Sequence, residues 1–234
     1  MFANKKGLIS MNRRITILIA ATLCLLPVGA GAADPPPTGK EIEAEIEQLA
    51  SPNKAPPSGP TGVGVVDQSD YPPGYDFSAQ DHVDGAWQWL SDQGPRAFPY
   101  LLAHMDDKRY CLTADSGDSD VNWSVGKACH DIFRCNLQPY GDFFTADHRI
   151  ESRNRPSYMK KFNLADHEAA KKWWEARKEK SLRELQIEAL EWTIAEEAKT
   201  PEKFTDKERT YLHDLLANLR TADKPLDATT PWCK

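Results

Sequence analysis

Long apolar runs are almost absent from this chain of 234 residues. The one sustained stretch, Ile15 to Val28, is 14 residues. At ~1.5 Å per residue, a helix of that length falls well short of the ~30 Å of bilayer hydrocarbon, so it is no transmembrane anchor. No C-x-x-C pair is present, which removes the usual low-pKa redox thiol. Gly-rich phosphate loops, H-E-x-x-H and a recognisable Ser-His-Asp set are also missing, and with them the motifs of phosphoryl transfer and nucleophilic hydrolysis. Basic residues are outnumbered, 29 against 35 acidic. Four of the 29 lie in the first 33 residues, which hold no acid, so the remainder carries 25 against 35, a net of −10. Nonspecific nucleic-acid binding needs the opposite balance, and no nucleic-acid partner is expected. β alternation is not evident, and the expected class is all-α.

What is present begins with an export signal. Met11-Asn12-Arg13-Arg14 is a short basic start, Ile15 to Val28 is the apolar segment, and Ala30-Gly31-Ala32-Ala33 offers small residues for cleavage. Residues 1–33 are therefore expected to be a signal peptide. The mature protein is expected to be periplasmic or extracellular, with no stable membrane span once the signal is removed. In an oxidising compartment, Cys111, Cys129, Cys135 and Cys233 are expected to form two disulfides. Cys129 and Cys135 on one helix would lie ~9 Å apart along the axis, beyond the ~7 Å that a disulfide spans. Two pairings stay open: 111–129 with 135–233, or 111–135 with 129–233.

Residues 34–77 read as a Pro/Gly-rich leader with a short helix at 40–50, where Ile42, Ile46 and Leu49 recur at helical spacing. The folded domain is expected over 78–234. Ser78 is read as the N-cap of a helix from Ala79 to Asp92. Gly94-Pro95 ends it and a second helix runs from Arg96 to about Asp106. After an acidic loop at Asp115 to Asp120, a third helix is expected from Val121 to Leu137. Residues 142–163 read as irregular and basic. Helices follow over about Asp166–Lys180 and Ser181–Ala198, with nothing evident to separate them. Thr205 and Glu208 make a capping box for a last amphipathic helix ending near Arg220.

The segment Arg96-Ala97-Phe98-Pro99-Tyr100-Leu101-Leu102-Ala103-His104-Met105-Asp106-Asp107 resembles the first helix of a HEAT-type repeat, with an internal proline, paired leucines and a terminal Asp. Val121 to Phe133 stands where the second helix belongs. The resemblance covers residues of about 96–135. It implies a small antiparallel HEAT-like helical domain, and such units mostly serve as protein-binding scaffolds. The long acidic loop departs from the tight turn that the pattern implies.

Three constellations bear on chemistry. Asp118-x-Asp120-x-Asn122 has the oxygen spacing that opens a Ca²⁺ loop, but Trp123 stands where glycine is needed and Cys129 where the bidentate Glu belongs. It is a weak metal candidate. His104 with His130-Asp131 is similar to the ligand pattern of HD-domain phosphohydrolases, which implies a divalent metal activating water. Finally, Arg149 to Arg183 holds eleven basic and five acidic residues, interleaved with Tyr158, Phe162, Trp173 and Trp174. Adjacent tryptophans on a helix point ~100° apart, so one is expected to face a boundary. The favoured reading is a non-enzymatic exported domain without a cofactor. It would bind a partner protein or an anionic envelope component through Arg153, Arg155, Lys160, Lys161 and Trp174. The metal-dependent hydrolase is the alternative.

Overall fold

The structure is a computed structural model and describes residues 35–57, 71–115, 120–138 and 156–226. The signal segment, Arg153, Arg155, Asp118 and Cys233 lie outside the described residues. Among the described residues are eight α-helices and one two-stranded sheet: α1 Gly39–Gln48, α2 Ser78–Asp92, α3 Phe98–Ala103, β1 Tyr110–Asp115, β2 Asp120–Ser124, α4 Val125–Leu137, α5 Tyr158–Lys161, α6 His167–Glu175, α7 Leu182–Glu197 and α8 Asp206–Thr221. The protein is thus mostly helical. No helix among them is long and apolar enough to cross a membrane.

The antiparallel hairpin β1–β2 corrects the expectation of helices alone. Its register steps from Tyr110↔Ser124 to Leu112↔Trp123, with Cys111 as the inserted residue of a β-bulge. A bulge re-aims side chains, and here Cys111 and Leu112 are both buried although they are neighbours. Period-two alternation is erased, which hid the strand. The hairpin also shortens the following helix: α4 starts at Val125 rather than Val121, capped by Ser124, whose Oγ accepts from the Lys127 amide at 3.1 Å. Where the HEAT pattern implies a tight turn, this hairpin joins α3 to α4. Pro99 sits in the first turn of the six-residue α3, where its missing amide costs nothing.

The folded body begins at Pro37 rather than near Ser78. A capping box at Thr38 and Glu41 starts α1, and Ile42, Ile46 and Leu49 are buried in the same core as α2, α3 and α4. Arg109 clamps α1 from outside, reaching Glu47 at 2.6 Å and Asp107 at 2.6 Å. Asp76, not Ser78, caps α2: its Oδ1 accepts from the Ser78 amide at 2.9 Å and the Ala79 amide at 3.3 Å. Gly126 allows the start of α4 to press against the chain before β1. Its amide donates to Asp107 O at 3.0 Å, and a Cβ there would overlap the Met105 carbonyl.

Trp173 and Trp174 are both core residues, 4% and 7% exposed. Helix α6 is covered on two sides, so neither ring reaches a boundary. Trp174 meets Phe98 edge-on at 5.3 Å, while Trp173 meets Phe133 at 5.7 Å and Tyr158 at 6.1 Å. Tyr158 belongs to α5, a turn inside the stretch expected to be irregular. Its hydroxyl donates to Glu188 Oε1 at 2.6 Å and accepts from Trp173 Nε1 at 3.2 Å. Arg177 and Lys180 reach the same carboxylate, at 2.8 and 2.6 Å. Burial alone would raise the Glu188 pKa, but the bonds from Arg177, Lys180 and Tyr158 outweigh it and bring it down to about 2.

Helices α6 and α7 are separate, because Ser181 and Glu184 form a capping box that starts α7. A second apolar cluster lies between α7 and α8, built on Leu190, Phe204, Leu212, Leu216 and Leu219. Gln186 of α7, 0% exposed, joins the two cores. Its amide nitrogen donates to Asn136 O at 2.8 Å and Leu226 O at 3.0 Å, while its carbonyl accepts from the Leu226 amide at 2.8 Å.

Candidate functional site

Residues 130 and 134, four apart, share one face of α4, and Gln138 follows at its C-terminal cap. The opposite face carries Ala128, Cys129, Ile132 and Phe133 into the core. Across from His130 and Arg134 lies the short α5 and the turn after it. Ser157 caps α5. The turn ends in a Schellman arrangement: the Leu164 amide donates to Met159 O at 2.9 Å and the Asn163 amide to Lys160 O at 3.2 Å. Asn163 takes the left-handed position with φ 53°, a conformation that Asn tolerates better than most residues. Leu164 is buried beneath it and fixes the turn.

Between these walls is a cleft of ≈ 370 Å³. His130 and Arg134 come from α4, Gln138 from its C-terminal cap, and Ser157, Lys160 and Asn163 from the α5 side. This lining offers two cations, an imidazole, two carboxamides and a hydroxyl, with no carboxylate among the described lining residues. Arg134 is braced from below by Asp131, which is 2% exposed and accepts from its Nε at 3.0 Å and Nη2 at 2.8 Å. Burial pushes the His130 imidazole down to about 4, aided by Lys127 and opposed by Asp131. It is therefore neutral near pH 7 and presents one donor and one acceptor nitrogen. Its Nε2 is buried and has no hydrogen-bond partner among the described residues.

The expected site residues fall into three groups. Lys160 lines the cleft, and Lys161 stands exposed beside it at the end of α5. Trp174 is no binding residue; it packs in the core against Phe98. The His104, His130 and Asp131 set is dispersed by its own partners. His104 Nε2 is 2.8 Å from Glu43 Oε2, His130 faces the cleft, and Asp131 is committed to Arg134. No group of three or more His, Cys, Asp or Glu side chains among the described residues is arranged to hold a metal.

The weak Ca²⁺ candidate is likewise taken apart. Asn122 spends its side chain on structure, donating to Pro56 O at 2.7 Å and accepting from the Thr113 hydroxyl at 2.8 Å. Asp120 is a strand residue opposite Asp115. Cys111, Cys129 and Cys135 are buried, and no disulfide links these three to one another.

Sequence reasoning missed Arg134, Gln138, Ser157 and Asn163. The first two were available as polar residues spaced by four from His130; the others depend on where α5 packs. No family model, curated protein or solved structure matches the chain.

Proposed function

We propose that this is an exported, non-enzymatic helical domain that binds an anionic partner of the cell envelope through a basic face at α5. The support comes from sorting the eleven basic residues between Arg149 and Arg183, of which Arg149 lies outside the described residues and Lys172 is exposed on α6. Lys171 pairs with Glu168 within α6 and Lys178 with Glu175 across its end, Arg177 and Lys180 hold Glu188, and Arg183 donates to Leu219 O and Arg220 O. Those charges serve the fold. Lys160 and Lys161 are exposed, and Lys160 lines a cleft whose other cation is Arg134. Arg153 and Arg155, just upstream in sequence, extend the same reading. In a chain of net −10 after signal removal, a local basic face steers an acidic protein or polymer by complementarity rather than by overall charge.

The HEAT-like resemblance belongs to this proposal as a scaffold reading, with α3 and α4 as its pair. The export signal at residues 11–33 supplies the compartment. The experiment is capture from an envelope fraction by protein recovered after export, washed at low and at high salt. A partner lost at high salt and lost with Lys160→Glu plus Lys161→Glu is the expected result. Retention of every captured species by the double variant refutes the assignment of this face.

A further inference from the structure

We draw no further inference here: the strongest candidate, the surface patch of aromatic rings that Tyr71, Tyr75 and Phe77 form just ahead of α2, rests on the packing of those rings against one another, and nothing in the structure shows what covers it.

Discussion

Replacing Glu188 by Gln removes the anion on which Arg177, Lys180 and the Tyr158 hydroxyl converge. The magnitude follows from the pKa. Burial raises it, the three bonds lower it further, and the net fall from 4.5 to about 2 corresponds to roughly 3 kcal/mol at ~1.36 kcal/mol per unit. Lys180 is 44% exposed and its share is screened, so about 2 kcal/mol is the expected loss. In a domain of this size that lowers Tm by about 4–8 °C.

The pH dependence has a definite sign. A carboxylate whose folded pKa lies below its unfolded one stabilises the fold above the unfolded value and loses that contribution as pH falls through the folded value. The gap between the native protein and Glu188→Gln should hold steady from pH 7 to about 5. It should narrow below about 4.5, with more than half gone by about pH 3. Urea unfolding of both proteins across that range measures it. A gap under about 0.5 kcal/mol at neutral pH, or one constant down to about pH 3, refutes the hub.

Gly126→Ala drives a Cβ into the Met105 carbonyl and should cost about 3 kcal/mol or more, read as a lowered urea midpoint; a change within about 0.5 kcal/mol would mean that α4 does not pack so closely. Ile46→Ala should cost about 2–5 kcal/mol, because α1 is part of the main core; a neutral effect would return that helix to the leader. Because Cys111, Cys129 and Cys135 are not linked to one another, the expected pair of disulfides is reduced to at most one, to Cys233, and at least two of the four thiols should alkylate under denaturing conditions without reduction. Four thiols blocked until reduction would refute that description of the cysteines.

What the sequence made legible was local. The Thr205–Glu208 capping box and the stripe of α8 are where spacing put them. So is the apolar line of α1, yet its place in the core was hidden because three prolines precede it at 35–37 and six follow it between Ser51 and Tyr75. The break before α7 was written in Ser181 and Glu184, the same signature that was read correctly at Thr205. The hairpin was concealed by its bulge, and the Ser116-Gly117-Asp118-Ser119 stretch between its strands passed for an acidic loop. Trp174 misled for a different reason: periodicity shows one helix at a time, and α6 is covered by partners on two sides. Half of the cleft was visible as a line through His130. The other half required tertiary packing of α5.

Gln186 has a consequence for how the molecule comes apart. With a single carboxamide it grips both the end of α4 and the chain beyond α8, so the smaller lobe of helices cannot lift away without stranding polar atoms inside the larger one. Glu at that position would lose both donated bonds, Leu all three, and Asn would fall short by a methylene. The two lobes should therefore melt as a single cooperative unit, and truncation after Thr221 should loosen α7 from the end of α4, which Leu226 reaches only through Gln186.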